Sequence, residues 1–463
     1  MTSEPARSLD SHDLGLPAAL PAIAIAPEWK EQQRLWGHSF HPMCSYLASF
    51  PAALAHAFIA RYSRPGDVVL DPFSGRGTTP LQACAEGRIG AANDLNPFAH
   101  VLTAAKVDPP TKADALTRLA TLRLAWATTM AGWQALADAV VDGRGATGPQ
   151  IPLAGSGAVT PDDGREGVPD EVAVAFHRRT LAQLLLARTT LSLAAPVDRF
   201  LVAALTGILH GRSGSYLSTL MPNTFSMAPR YVRTFAARTA FEAPERDVFD
   251  ALEAKLERLY RQPLPTTPGL ALLGDARDVG PRVRQALRVN GLPDRARLVV
   301  TSPPYLRVVK YGYYNWLRAW LCGFDPRAID DALDDAHHRE PYLAFVRDVL
   351  DGIHPILTDD AIVVLVIGDV ETDRGRRITG AVGLAERVWE AAAEPTGYHL
   401  AGIALDPVAA HRKMTKLWGD EAGRATKTDR ILVLGATEAG RRRALAGAAV
   451  PIDWSWPPRL RRV

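Results

Sequence analysis

Cysteine, lysine and long apolar runs are all scarce in this chain of 463 residues. The three cysteines, Cys44, Cys84 and Cys322, are too few and too widely spaced for a disulfide framework or a clustered zinc site. No apolar run reaches the length of a membrane span, and the first residues lack the basic and apolar pattern of a signal peptide. These absences predict a cytoplasmic protein without a membrane anchor.

The chain also has little excess of one sign of charge. The formal net charge is only +3, so charge alone does not indicate a nucleic-acid partner. Eight of the 53 basic residues are lysines, and a GC-rich genome explains this preference for arginine as well as phosphate binding does. Hydrophobic residues make up 47% of the chain, which predicts a globular protein with a large core.

Two short motifs each follow a run of β-branched residues. The first, Asp71 to Thr79, has the sequence DPFSGRGTT, and the second, Thr301 to Tyr305, has the sequence TSPPY. Both patterns predict loops at the carboxyl ends of buried parallel strands, where open α/β sheets bind ligands. The glycines of the first loop let a ligand approach the backbone, and Asp71 can accept a hydrogen bond from a cationic amine. A plain tight turn and a polyproline kink are the structural alternatives.

Two more acidic residues follow predicted strands. Asp94, Leu95 and Asn96 end a strand that begins at Ile89, roughly 20 residues after the glycine loop, where an acidic side chain binds ribose hydroxyls. An ordinary Asx turn before a helix explains the same residues. Asp275 ends a third strand and precedes Ala276. Asp275 can cap the next helix, bind a ligand, or do both.

Taken together, these motifs resemble those of the S-adenosylmethionine-dependent DNA amino-methyltransferases. The resemblance implies an α/β, Rossmann-like methyltransferase fold with a doubly wound, mostly parallel sheet. It implies a catalytic loop made of Ser302, Pro303, Pro304 and Tyr305. It also implies S-adenosylmethionine as the cofactor, bound by Asp71, Pro72, Phe73, Gly75, Gly77, Thr78, Asp94, Leu95, Asn96, Asp275 and Ala276.

The same resemblance suggests roles for two further sites. In this family an acid at the position of Asp275 accepts a hydrogen bond from the adenine amino group of the cofactor. The segment His41 to Tyr46 resembles the element that touches the methionine part, although a surface loop explains it equally well.

Ser302 bears on the target base. Family members that act on cytosine N4 mostly have serine at this position, whereas those that act on adenine mostly have aspartate or asparagine. No cysteine follows a proline, so the nucleophile of carbon-5 cytosine methylation is missing. We therefore expect a DNA cytosine-N4 methyltransferase, solitary or in a restriction or defence system, with a restriction endonuclease or a second copy as candidate partners. The alternatives are an adenine-N6 DNA methyltransferase, an RNA amino-methyltransferase and a non-catalytic DNA-binding protein.

Composition and the extent of the resemblance together divide the chain into four parts. We expect a poorly ordered leader (1–28), a methyltransferase domain where the resemblance applies (29–108 and 268–436), a large, mainly helical insertion (109–267) and a tail (437–463) that docks on the protein or touches DNA. The insertion contains a Gly/Pro-rich linker at 142–169.

The insertion is the candidate DNA-recognition region. Too little chain follows residue 434 for a separate recognition domain, so we expect the insertion to contact DNA. A helical subdomain that covers the sheet or forms a dimer is the alternative. The side chains predicted to contact DNA are Arg212, Ser213, Asn223, Arg230, Tyr231 and Arg233.

Overall fold

The computed structural model describes residues 20–33, 35–47, 49–143, 168–304, 310–333, 339–368, 383–407 and 428–455. Within these residues, strands of strongly apolar sequence form one sheet of seven strands in the order β3-β2-β1-β4-β5-β7-β6. The strands are β1 (Val68–Asp71), β2 (Ile89–Asp94), β3 (Leu270–Leu273), β4 (Ala296–Thr301), β5 (Leu357–Gly368), β6 (His399–Pro407) and β7 (Thr428–Gly435).

The sheet is mostly parallel, as the sequence predicts. β1 pairs in parallel with β2 and β4, β2 with β3, and β4 with β5, while β7 runs antiparallel to β5 and β6. The chain moves outward from β1 to β2 and β3, and then returns to place β4 on the other side of β1. This reversal opens a crevice outside the carboxyl ends of β1 and β4, which is where ligands bind in such sheets.

Helices connect and cover these strands. The helices of the described residues are α1 (Ala52–Tyr62), α2 (Thr78–Ala85), α3 (Pro97–Val107), α4 (Lys112–Val141), α5 (Asp170–Ala175), α6 (Arg178–Thr190), α7 (Pro196–Thr206), α8 (Pro229–Arg238), α9 (Val248–Leu259), α10 (Val279–Val289), α11 (Tyr311–Tyr314), α12 (Trp316–Cys322), α13 (Pro326–Ala332), α14 (Arg339–Ile353), α15 (Leu384–Val388) and α16 (Glu438–Ala448).

The central strands bury alternate residues on opposite faces of the sheet. In β1, Val68 and Leu70 belong to one core cluster, and Val69 belongs to another. Residues of α10, α14 and α15 complete the first cluster, whereas α1 and α16 complete the second. Both faces of the sheet are therefore covered by helices, which explains why the buried parts of its central strands are continuous apolar runs rather than alternating with polar residues.

The insertion is helical, as predicted, and shares a core with the sheet domain. Helices α4 to α9 lie between α3 and β3 in the chain. Leu119, Leu185 and Phe200 of this region join one buried cluster with Phe98 of α3 and Trp316 of α12. The insertion therefore packs directly against the helices that follow β2 and β4.

Local capping explains one difference from the predicted helices. The pattern from Glu171 to Leu191 predicts one helix, but the structure has α5 and α6, separated at Phe176 and His177. The His177 side chain accepts a hydrogen bond from the N–H of Arg179, and this cap starts a new helix. The predicted linker 142–169 lies almost entirely outside the described residues.

Both chain ends contribute more to the fold than composition suggests. The predicted leader reaches residue 28, yet Ile23 is buried and its N–H donates to the Ile403 carbonyl of β6 at 3.0 Å. The predicted tail begins at 437, yet its first part is α16, whose Ala444 is fully buried. Beyond α16, the described tail contacts the protein through Trp454, which donates to Glu28 Oε2 at 2.7 Å.

Candidate active site at the strand ends

The loops after β1 and β4 are joined by hydrogen bonds. The Thr301 hydroxyl, at the end of β4, donates to Asp71 Oδ1 at 2.6 Å, and the Thr79 hydroxyl donates to the Val300 carbonyl at 3.0 Å. Asp71 also accepts from the N–H of Phe73 at 3.2 Å. The two motifs that the sequence separates by more than two hundred residues thus form one site at the crevice.

The end of β2 lies beside these two loops and is bonded to the first of them. Asp94 accepts the N–H of Gly75 at 2.7 Å and the N–H of Asn96 at 2.9 Å, which ties β2 to the glycine loop. Asn96 caps α3 by accepting the N–H of Phe98, and its amide donates to the Tyr46 hydroxyl at 3.0 Å. Leu95 lies between these two polar residues and is partly exposed. The Asx turn given above as the structural alternative is present, and Asp94 also contacts the glycine loop, so its contact with ribose hydroxyls stays a prediction.

Burial makes the charged forms of Asp71 and Asp94 costly. It raises the pKa of Asp71 to about 7 and that of Asp94 to about 6, despite the hydrogen bonds that both accept. Neither carboxylate forms an ion pair with a lysine or arginine among the residues that the structure describes. A buried acid without a cation is expensive to retain unless a ligand supplies the positive charge.

The two glycines of the loop have different roles. Gly77 begins α2 with φ +76°, and a Cβ there would lie 2.8 Å from the Thr103 hydroxyl, so close packing of the loop against α3 requires glycine. Gly75 has φ +50°, but a Cβ there would meet only Tyr46, at 3.7 Å. Backbone conformation therefore constrains Gly75, and contact with α3 constrains Gly77.

Three other predicted residues shape this loop. Pro72 and Thr78 are buried, whereas the Phe73 ring is partly exposed. That ring packs against Phe345 of α14, with 5.6 Å between the centroids. The Arg277 guanidinium lies 5.8 Å from the centroid of the same Phe345 ring. Phe345 therefore contacts both the loop after β1, through Phe73, and the loop after β3, through Arg277.

Ser302 occupies the first turn beyond β4. Its hydroxyl donates to the Val366 carbonyl of β5 at 2.9 Å, which fixes the side chain across two neighbouring strands. Pro303 is buried and Pro304 is partly buried. Tyr305 lies outside the described residues, so its predicted stacking stays a prediction.

Asp275 is a helix cap in this structure. It accepts the N–H of Arg277 at 2.9 Å, and both of its carboxylate oxygens bond the Arg277 side chain. The hydrogen bonds from Arg277 lower the pKa of Asp275. Ala276, the next residue, is buried. Contact between Asp275 and a cofactor amino group therefore has to coexist with this ion pair.

Two residues with no role assigned from sequence also shape the site. Thr301 links the two motifs, and it lies inside the second motif, so position could have identified it. Tyr311 stacks on Tyr46, with ring centroids 5.6 Å apart and planes 20° apart. Tyr311 follows Ser302 closely in the chain, but only the tertiary structure shows that it reaches the segment before the glycine loop.

The predicted DNA-contacting residues fall on two elements. Arg212, Ser213 and Asn223 are exposed on the irregular segment that precedes α8. Arg230, Tyr231 and Arg233 lie on α8, where the sequence predicts a loop, because Pro229 starts a helix there.

These side chains also differ in their partners. Arg233 pairs with Asp170 at 2.9 Å and with Glu171 at 2.8 Å, whereas no carboxylate among the described residues pairs with Arg212 or Arg230. The Tyr231 hydroxyl accepts from Arg238 at 2.8 Å. Among the side chains predicted to contact DNA, Arg212 and Arg230 are therefore the two arginines without a paired carboxylate in the described residues.

A separate cavity of about 330 Å³ lies within the insertion, between Ser215, Tyr216 and α9. Its walls carry both signs of charge, including Arg246, Asp247 and Asp250. Over the described ranges, no group of three or more His, Cys, Asp or Glu side chains could hold a metal ion. No helix in those ranges has the length and apolar character needed to cross a bilayer.

Sequence comparison agrees with the motif-based prediction. Residues 21–99 match a family model described as DNA methylase. The matched segment contains the Tyr46 region, β1, the glycine loop and β2, so it supports a methyltransferase and does not extend to Ser302. It begins where the chain first contacts the sheet. No curated protein matches this sequence.

Solved structures show only a distant likeness. TrmN from Thermus thermophilus is 12% identical with a TM-score of 0.30, and the alignment covers 86% of this chain and 52% of that one, about half of its length. The rRNA methyltransferase aviRa from Streptomyces viridochromogenes is 11% identical with a TM-score of 0.27 over 96% of this chain and 97% of that one. At these scores the fold assignment rests on the strand order itself.

Proposed function

We propose that this chain is a DNA methyltransferase that transfers a methyl group from S-adenosylmethionine to the N4 amino group of cytosine. The observation that carries the proposal is the hydrogen bond from Thr301 to Asp71. It joins the glycine loop to the Ser302 loop at the point where the strand order reverses. A methyl donor held by the first loop would lie beside an acceptor held by the second, which is the arrangement that group transfer requires.

The strand-end acids suit this cofactor. Asp71 would accept from the cationic amino group of its methionine part, and Asp94 would accept from the ribose hydroxyls with its remaining lone pairs. Phe73, Leu95 and Ala276 would supply apolar contacts. The remaining predicted cofactor residues, which shape the loops or cap their ends, are Pro72, Gly75, Gly77, Thr78, Asn96 and Asp275.

The methyl acceptor is an amino nitrogen whose lone pair is delocalised into the cytosine ring. S-adenosylmethionine, when bound, supplies an electrophilic methyl group on a sulfonium. The Ser302 hydroxyl gives its own hydrogen to Val366, so its lone pairs are left to accept an N–H of the target. The Pro303 carbonyl would accept the other N–H, and the fixed proline backbone keeps both acceptors in place.

The remaining steps need little from the protein. The methylated nitrogen would carry a positive charge and would lose a proton to solvent, so no strong base need be supplied by the chain. Tyr305 would stack on the target base, a contact worth about 1–3 kcal/mol. In duplex DNA the base must first be rotated out of the helix, at a cost of a few kcal/mol.

The assignment of the base rests on Ser302, since serine at this position is typical of relatives that act on cytosine. The assignment of DNA as substrate draws support from the family match over residues 21–99. The insertion would contact the DNA through Arg212, Ser213, Asn223, Arg230, Tyr231 and Arg233.

Expression of the protein in cells that lack DNA modification, followed by nucleoside mass spectrometry, tests the proposal. We expect N4-methylcytosine with the wild-type protein and none with Ser302→Ala. Only N6-methyladenine in the DNA would overturn the base assignment. Methylated RNA with unmodified DNA would overturn the substrate assignment.

A further inference from the structure

Arg318 of α12 is one of the largest fully buried side chains in the described part of the protein, with 1% of its surface exposed. Its guanidinium donates to three oxygens: the Asn223 carbonyl at 2.8 Å, the Thr224 carbonyl at 3.2 Å and Asn315 Oδ1 at 2.7 Å. No carboxylate among the described residues pairs with it. A buried cation is costly, so these bonds hold the backbone at residues 223 and 224 in a defined place.

The segment that Arg318 holds, residues 211–228, is here named the recognition loop. Two more bonds attach it to the chain just before Arg318. The Trp316 indole donates to the Met227 carbonyl at 2.6 Å, and the Ser226 N–H donates to the Tyr314 carbonyl at 2.7 Å. The recognition loop, which lacks regular structure over most of its length, is therefore bonded to α11 and α12 at several points.

A buried histidine braces the same loop from within. His210 Nδ1 lies 2.6 Å from the Pro222 carbonyl, and its Nε2 lies 3.2 Å from the Ser226 hydroxyl. Because His210 lies just before the loop, these contacts join the start of the loop to its second half. The exposed residues that the loop presents are thereby supported from beneath by a polar network.

Helices α11 and α12 follow Ser302 closely in the chain and also reach the cofactor side of the site. Asn315 donates to the Tyr311 carbonyl at 2.9 Å, and the Tyr311 ring stacks on Tyr46 beside the glycine loop. The run from Tyr311 to Arg318 therefore contacts both the cofactor side and the recognition loop. Displacing the loop would therefore disturb α11 and α12, which reach the cofactor side of the site through Tyr311.

We propose that Arg318 is a positioning residue that fixes the recognition loop relative to the catalytic loop, so that the loop contacts the DNA strand beside the target base. The exposed side chains of Arg212, Ser213 and Asn223 would make those contacts. This inference rests on the proposed function. Its physical basis is that small displacements of a substrate-holding element, of the order of 1 Å, can cost about 100-fold in rate.

Arg318→Met tests this role, because methionine keeps much of the apolar volume and removes every donor. Arg188→Met is the control for loss of an arginine bonded to the same helix, since Arg188, which is more exposed than Arg318, donates to the Trp320 carbonyl of α12 at 2.8 Å and has no bond to the recognition loop. The measurements are S-adenosylmethionine affinity by calorimetry, the KM for DNA, and the methylated motif from modification-sensitive sequencing of genomic DNA.

We expect Arg318→Met to keep cofactor affinity within about two-fold, to raise the KM for DNA by about ten-fold or more, and to lose discrimination at one or more motif positions. Arg188→Met should retain the wild-type motif. If Arg318→Met fails to fold, Trp316→Phe removes one bond to the loop and should shift the KM in the same direction by less. A wild-type motif and KM in the folded variant would overturn the inference, whereas unmodified DNA with the wild-type protein would overturn the proposed function itself.

Discussion

The strand-end loops and the inserted helices differ in how their charged side chains are partnered. In the insertion, Arg118 pairs with Asp198 at 2.6 Å and Arg233 pairs with Glu171 at 2.8 Å, so opposite charges hold helices together. At the strand ends, Asp71 and Asp94 accept only hydroxyl or N–H groups among the described residues. These insertion charges are paired with each other, whereas the strand-end acids have no cation partner among the described residues and are available to a cationic ligand.

This contrast separates residues that maintain the fold from residues that bind. Removing one partner of a part-buried pair such as Arg118 and Asp198 lowers the free energy of unfolding, because the remaining charge is left without compensation. For a buried acid without a cation partner we expect the opposite: removing its charge should lower ligand affinity and leave the free energy of unfolding unchanged or higher. The two regions can therefore be distinguished by measuring both quantities on matched variants.

The largest effect is expected at the catalytic loop. Ser302→Ala removes the proposed acceptor for the target amino group and should lower turnover by about 100- to 1,000-fold, as for other preorganised polar groups. Cofactor affinity should stay near the wild-type value, because Ser302 is not among the residues proposed to bind the cofactor. Single-turnover kinetics and calorimetry measure the two quantities. Ser192→Ala, in the turn between α6 and α7, serves as the control, and equal turnover in both variants would contradict the role of Ser302.

Asp71→Asn comes next. It keeps the shape of the side chain and removes its charge, so cofactor affinity should fall by about 10- to 100-fold. Stability without cofactor should be unchanged or higher at pH 8, because a buried charge is lost. Asp198→Asn in the insertion should do the reverse, with lower stability and normal affinity. Thermal unfolding and calorimetry on both variants decide, and a large stability loss in Asp71→Asn would show that the carboxylate is structural.

The pH dependence of the wild-type protein tests the same contrast without a mutation and with a smaller expected effect. The pKa of Asp71 is raised from 3.8 to about 7, so its contribution to the stability of the cofactor-free protein is fully present below pH 3.8 and is lost as pH rises through 7. A cationic ligand prefers the ionised acids, so cofactor affinity should fall as pH drops through 7 and then 6, where Asp94 is also protonated. Calorimetry between pH 5 and 8 would show about a ten-fold change. Asp71→Asn should flatten the upper part of that profile, and an unchanged profile would remove Asp71 from the ligand site.

The smallest effect is expected on the insertion. Replacing Arg212 and Arg230 together by alanine removes two charges that no described carboxylate compensates. The slope of log affinity against log salt for DNA binding should become shallower by about 2, since each phosphate contact contributes about 0.9. Arg233→Ala should have less effect, because Asp170 and Glu171 already pair with that side chain. Filter binding over a salt series checks this, and equal slopes for all variants would assign this surface a structural role.

The sequence predicts those parts of the site that depend on neighbours in the chain. Strand ends, the glycine loop and the cap at Asn96 follow from residue types at short spacing. The stack of Tyr46 on Tyr311 and the burial of Arg318 do not, because each depends on elements that meet only after folding. An aromatic ring or an arginine in a helix has no local pattern that reveals such a contact.

Boundary errors have a related cause. Composition places Ile23 in a disordered leader, because Ala- and Pro-rich sequence surrounds it. What orders this segment is the free edge of β6, which is not visible in the local sequence. Asp275 illustrates the reverse case, since the sequence allows it to be a cap, a ligand contact or both; the bonds to Arg277 show the cap, and the ligand contact stays a prediction.

The attachment of the chain near Ile23 to β6 has a practical consequence for handling the protein. β6 is an edge strand, and Pro21 and Ile23 occupy part of its free backbone by accepting from and donating to Ile403. Removing the segment before residue 29, where composition would place the cut, would leave unpaired backbone groups on an apolar edge. Such an edge recruits strands from other molecules. A shortened protein is therefore expected to aggregate, so expression should retain residues 20–28.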